Sequence, residues 1–227
     1  ASNCVIGYVA DKLVDLGATV IFGETTEFIG GEHLLARRAV SKEVGDKILK
    51  IVDDMELRAK SLGCDMRKGQ PTPGNIEGGL SSIEEKSLGA IMKSGSKPIQ
   101  GVLGYTERVT DQKGLWIKDT PGREPEILTG MAATGAQVMM FSTGRGAPQG
   151  FPSMPVIKIC GNPNTYQRME EDMDINAGRI ITGEKTIEEV GEEAFAKLIR
   201  TLSGEMTKNE AIQYITSIDI QCLGPVI

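Results

Sequence analysis

Ala18-Thr19-Val20-Ile21-Phe22, running straight into Gly23-Glu24-Thr25-Thr26-Glu27, is the stretch that decides the fold. Five residues, mostly β-branched or aromatic, are too few for a helix and suit a short buried strand. Before them Val5, Ile6, Val9, Leu13 and Leu16 recur at helical spacing, and Gly17 stops that helix. Helix, apolar strand and polar loop in immediate succession is the unit of an α/β fold.

The same alternation continues along the chain. Val44, Ile48, Ile51, Val52, Met55, Ala59 and Leu62 share one face of a helix over Ser41 to Leu62, with Ser41 as N-cap and Gly63 just beyond its end. Arg67 to Leu80, with its Pro and Gly residues and little periodicity, reads as a loop. Ser82-x-x-Glu85 opens a helix to about Lys93. Val102-Leu103 and Leu115 to Lys118 read as strands, Glu124 to Thr134 as helix, Gln137 to Phe141 and Val156 to Cys160 as strands, and Asn164 to Glu170 as a short helix. Thr186-x-x-Glu189 caps a last long helix through Leu202, with Ile187, Val190, Ala194, Leu198 and Leu202 inward. The expected architecture is α/β, Rossmann-like, a mostly parallel sheet with helices on both faces. Residues 1–227 are expected to form one domain.

Composition narrows the function. A net charge of -6, with no basic run, argues against a nucleic-acid surface. It leaves room for an anionic small molecule, which needs only one or two local cations. Cys4, Cys64, Cys160 and Cys222 lack metal-site spacing and read as reduced thiols, so a cytoplasmic protein is expected, and no apolar run approaches the roughly 20 residues of a membrane span.

Ligands of open α/β sheets bind beyond the carboxyl ends of strands. The loop Gly23 to His33 places Glu24, Glu27, Glu32, Thr25, Thr26 and the chain's single His within eleven positions. Carboxylates and an imidazole suit a divalent cation, while Thr25 or Thr26 would equally cap a following helix, with Glu32 and His33 on its solvated face. Ser142-Thr143-Gly144-Arg145-Gly146 offers a hydroxyl and a guanidinium suited to a carboxylate, or is a plain tight turn. It lacks both full Gly-rich nucleotide-binding patterns. In Gly161-Asn162-Pro163-Asn164-Thr165, Asn164 or Thr165 reads as the cap of the next helix ahead of catalysis, and Gln70-Pro71-Thr72-Pro73-Gly74-Asn75 reads as a rigid loop presenting Gln70, Thr72 and Asn75. Lys86 reads as a surface ion pair with a neighbouring Glu.

Gly23 to His33, Gln70 to Leu80, Ser87 to Ile91, Asp119-Thr120-Pro121-Gly122, Thr143 to Gly146, Ile159 to Pro163 and Asp174 to Gly178 together resemble the altronate/galactarate dehydratase family, over nearly the whole chain. They are also similar to the large subunit of sulfolactate sulfo-lyase. The resemblance implies a hydro-lyase that removes water from a sugar acid to give a 2-keto-3-deoxy acid, or a sulfo-lyase, or a noncatalytic dimerisation or ligand-binding domain of such an enzyme. It implies a divalent metal, Fe²⁺ foremost, with Mn²⁺ or Ca²⁺ as alternatives, and Glu24 and His33 as its ligands. On this basis Glu24, Glu27 and His33 are the expected catalytic residues. Thr25, Thr26, Thr72, Asn75, Thr143, Arg145 and Asn162 are the expected substrate contacts. Family enzymes are longer, so the expected partners are an amino-terminal domain or a separate small subunit, together with further copies of the chain in a homo-oligomer.

Overall fold

A computed structural model describes residues 1–109, 111–215 and 218–222. Its elements run α1 (Ser2–Asp15), β1 (Thr19–Phe22), a 3-10 turn (Thr25–Glu27), α2 (Glu32–Ala36), α3 (Lys42–Ser61), α4 (Met66–Gly69), α5 (Pro73–Glu77) and α6 (Ile83–Ile91). A second 3-10 turn (Met92–Ser94), β2 (Ile99–Leu103), β3 (Gly114–Lys118), α7 (Glu124–Thr134), β4 (Met139–Thr143) and β5 (Val156–Cys160) follow. The last are α8 (Pro163–Arg168), β6 (Ile175–Asn176), α9 (Gly178–Ile181), α10 (Ile187–Leu202) and α11 (Lys208–Ala211).

The α/β class and the parallel pairing are as expected, with the strands divided between two three-stranded sheets, β1-β3-β2 and β4-β5-β6. Each sheet has its own core. Phe22, Ile99, Leu115 and Ile117 of the first sheet pack against Ile48 and Val52 of α3. Ile157 and Ile159 of β5 pack against Val5 and Val9 of α1 and Val190, Ala194 and Leu198 of α10. A third cluster sets Ile127, Leu128 and Met131 of α7 against Val156 and, at its edge, Ile21, Met139 and Phe141. Helix α1 therefore feeds the first sheet in sequence while packing in the core of the second. Gly191 of α10 makes that packing close, because a Cβ there would run into the Tyr8 ring.

Two expectations are corrected. The stretch 67–80 is not a continuous loop: it carries most of α4 and all of α5. Each is a single turn, too short to show periodicity, and is started by local chemistry, with Asp65 Oδ1 accepting from Arg67 N at 3.0 Å and Pro73 in the first helical turn of α5. Leu202 does not turn into the core but is 49% exposed at the end of α10. Among the described residues no helix is long and apolar enough to cross a membrane.

Candidate functional site at the carboxyl ends of the strands

Gly23 carries the chain out of β1 under Thr120 and Met131, where any Cβ would meet their side chains. Glu24 then takes a left-handed backbone, φ 70, which turns the chain into the 3-10 turn. The turn is locked to the end of β3: Glu24 N donates to Thr120 Oγ1 at 2.7 Å, Thr25 N to Thr120 O at 2.9 Å, and Thr25 Oγ1 to Asp119 Oδ1 at 2.7 Å. Thr25 is fully buried and fills a structural role, and Thr26 lies beside Gly122, where a Cβ would run into its hydroxyl.

With the backbone so held, Glu24 and Glu27 each meet a lysine. Glu24 pairs with Lys93 in the second 3-10 turn, and both side chains are mostly buried at 13% and 16% exposure. Glu27 Oε1 lies 2.9 Å from Lys86 Nζ, which also donates to Gln70 Oε1 at 2.8 Å. Lys86 is thus not a surface pair with a neighbour on its own helix. The loop bends back over α6, leaving its side chain 17% exposed. Burial alone would pull the Lys93 ammonium down, but Glu24 and then Glu27 outweigh it and hold its pKa above the ordinary lysine value.

The second loop joins the first through Gln70. Thr72 and Asn75 satisfy each other, Thr72 Oγ1 donating to Asn75 Oδ1 at 2.9 Å, and Gly74 lies against the Arg145 guanidinium. Arg145 is exposed, and Thr143 Oγ1 accepts from Gly146 N at 3.0 Å. The cap of α8 is Asn162 rather than Asn164 or Thr165: with Pro163 in the first helical turn, Asn162 Oδ1 accepts from Asn164 N at 2.9 Å and Thr165 N at 3.1 Å. The structure therefore gathers Glu24, Glu27, Lys86, Lys93 and Gln70 into one polar cluster; Thr72 and Asn75 lie in the loop that Gln70 begins, Gly74 of that loop lies against Arg145, and Thr143 ends β4 two residues before it. Asn162 is committed to its helix. His33 is exposed on α2.

Three lysines that sequence reading passed over belong to the surroundings. Lys93 closes on Glu24; Lys118 ends β3, fully buried, donating to Gly104 O at 2.9 Å and Glu107 O at 3.3 Å. Burial lowers its pKa to about 8 against the opposing pull of Glu107 and Asp119. Lys158, also fully buried, pairs with Glu124 and sits 4.3 Å from the centre of the Phe141 ring. Its pKa is lowered by burial, with Glu124 opposing. A lysine inside the apolar runs Leu115 to Lys118 and Val156 to Cys160 is the signal that would have found two of them, since buried strands rarely carry an unpaired charge.

Among the described residues no group of three or more His, Cys, Asp or Glu side chains is placed to hold a metal ion. The two carboxylates nearest each other in function already face ammonium groups. These residues alone do not fit a divalent cation, which takes roughly six oxygen or nitrogen ligands or keeps waters in their place.

Residues 1–222 match the family model described as D-galactarate/Altronate dehydratase, C-terminal. The chain is 38% identical over 213 residues to (2R)-sulfolactate sulfo-lyase subunit beta of Chromohalobacter salexigens, covering 93% of this chain and 54% of that one. It is 42% identical over 204 residues to galactarate dehydratase (L-threo-forming) of Escherichia coli, covering 90% and 39%. With altronate dehydratase of Bacillus subtilis it shares 32% over 209 residues, covering 92% and 41%. The chain thus spans about half the length of these relatives or less. Motifs, parallel strands with polar loops at their carboxyl ends, and a match over nearly all of its residues place this chain in the D-galactarate/altronate dehydratase family, as the carboxy-terminal region.

Proposed function

We propose that this chain supplies one wall of an active site that eliminates water from a sugar acid of the altronate or galactarate type, leaving a 2-keto-3-deoxy acid. The observation that carries the reading is the pair of lysine-glutamate contacts, Lys93 with Glu24 and Lys86 with Glu27, in the first strand-end loop. Elimination next to a carboxylate needs a base for the carbon-bound proton, positive charge for the enediolate and an acid for the departing hydroxide. A glutamate takes the proton from the carbon next to the carboxylate. The Lys93 ammonium, kept protonated by its neighbours, protonates the hydroxide as the carbon-oxygen bond breaks. The resulting enol tautomerises to the keto acid. Arg145 receives a substrate carboxylate in a bidentate contact, and Thr72, Asn75 and Thr143 face the hydroxyls.

A divalent cation, iron foremost, belongs to this reading as a group of the whole enzyme whose ligands come mainly from outside the described residues. A homo-oligomer and a cytoplasmic setting belong to it as well. A second reading has its own support: 38% identity to a sulfo-lyase subunit spans more of that relative than of the two dehydratases, and the same base and cations serve when sulfite is the leaving group. Product analysis of the whole enzyme with a panel of aldonates, aldarates and (2R)-sulfolactate separates the two. A 2-keto-3-deoxy acid supports dehydration and free sulfite supports the second reading. Turnover of neither class would leave the domain as a binding module.

A further inference from the structure

Strands β1 and β4 are the facing edges of the two sheets and border a cleft of about 460 Å³. Its two banks are backbone. Among the described residues β1 is laddered to β3 alone and β4 to β5 alone. In a parallel ladder, successive residues turn their N–H and C=O groups to opposite edges. Gly114 N donates to Ala18 O, and Met139 N donates to Pro155 O. By alternation Val20 and Phe22 serve β3, while Phe141 and Thr143 serve β5. Thr19 and Ile21 on one bank, and Val138, Met140 and Ser142 on the other, direct their backbone groups into the cleft.

The banks run the same way, because α1 is antiparallel to both. Its first turn lies at the carboxyl end of β4, where Ser142 Oγ donates to Asn3 Oδ1 at 2.8 Å. Its last turn lies at the amino end of β1, where Ala18 N donates to Leu13 O at 2.9 Å. Both faces of the cleft are apolar and helix-covered: Val138 and Met140 pack with α1 and α10, whereas Met139 and Phe141 pack with α7. Two parallel edges with apolar helices above and below match the surroundings of a central strand in a doubly wound sheet.

We propose that this cleft takes one extended segment of four or five residues, parallel to β1 and β4, from the portion of the enzyme beyond the matched region. The lengths of β1 and β4 set that size. The relatives have the chain to supply it, since the match covers only 54% and 39% of two of them. The segment joins the two sheets into one parallel sheet ordered β2-β3-β1-segment-β4-β5-β6. Its side chains are apolar on both faces. A sugar acid does not match evenly spaced amide and carbonyl groups on two sides, and a strand does. The segment's carboxyl end emerges beside Glu24, Lys93 and Ser142, which line that end of the cleft, so completing the sheet also brings the rest of the enzyme to the polar cluster. The inference does not depend on which substrate the enzyme takes.

Residue-resolved hydrogen exchange on the whole enzyme tests it. The amides of Thr19, Ile21, Val138, Met140 and Ser142 are expected to exchange as slowly as Val20 and Phe141, together with a short stretch outside these 227 residues. A proline in the middle of that stretch is expected to speed the five by at least about tenfold while Leu115 and Ile159 stay slow. Fast exchange of the five in the unsubstituted enzyme overturns the proposal, as does slowing that appears only with added sugar acid. Slowing that grows with enzyme concentration overturns it in favour of a second copy of the chain. The unsubstituted enzyme decides the matter even where the proline variant does not fold.

Discussion

Lys118 is a charge at the end of a strand, held by two carbonyls rather than by an ion pair among the described residues, and burial depresses its pKa to about 8 despite the pull of Glu107 and Asp119. An unfolded lysine titrates near 10.4, so between about pH 8 and 10.5 the unfolded chain holds more protons than the folded one. Stability contributed through this residue therefore rises with pH across that window. Comparing the protein with Lys118→Met by urea unfolding isolates it: the difference is expected to shift in favour of Lys118 between pH 8 and 10.5, and a flat difference would refute the depressed value. Glu24 and His33 give the second prediction at this scale. In the whole enzyme Glu24→Gln is expected to lower kcat by about 10²- to 10⁴-fold, and normal turnover and metal content in both Glu24→Gln and His33→Asn would remove this loop from the chemistry. The carboxylates of the loop were legible because three acids follow one strand. Their lysine partners were not, since Lys86 and Lys93 lie some 60 residues downstream and become neighbours only when α6 folds back over the turn, while the rarity of histidine drew attention to a residue that ends on the solvent side of α2.

At the scale of elements, the long amphipathic helices were readable because burial imprints a 3.6-residue period, and caps such as Thr186 with Glu189 and Ser41 with Val44 N stand where the sequence put them. The single-turn α4 and α5 left no period to read, and neither did the division of strands between two sheets, since Val156 to Cys160 looks alike in one sheet or two. Two helical glycines make opposite predictions. A Cβ at Gly7 of α1 would run into Met92 O of the turn carrying Lys93, whereas nothing lies within 4 Å of one at Gly89 of α6. Alanine removes roughly 0.5–1 kcal/mol of backbone entropy cost in either helix, but overpacking against main chain costs about 1–3 kcal/mol. Gly89→Ala is expected to raise stability by up to about 1 kcal/mol. Gly7→Ala is expected to lower it by about 1–2 kcal/mol and to reduce turnover with it, as Lys93 shifts. Denaturant midpoints and kcat of both variants are the check, and equal signs for the two would sink the argument.

For the molecule as a whole, the α/β class and the placing of polar loops at strand ends followed from the order of elements, whereas the pairing of α1 with α10 is invisible locally. Tyr8 Oη donates to Glu192 Oε1 at 2.7 Å across 184 residues of sequence, and Lys12 joins the same carboxylate. That closing contact has a consequence during synthesis. Helix α1 cannot complete the cover over Val5 and Val9 until α10 has emerged, which at about 5–20 residues per second takes roughly 10–40 s after α1 itself is made. Over that time the nascent chain leaves the α10-facing side of an apolar helix uncovered, a natural client for a chaperone. Chains stalled before Thr186 are expected to be cleaved rapidly within α1 by added protease, and chains released past Leu202 to be protected there.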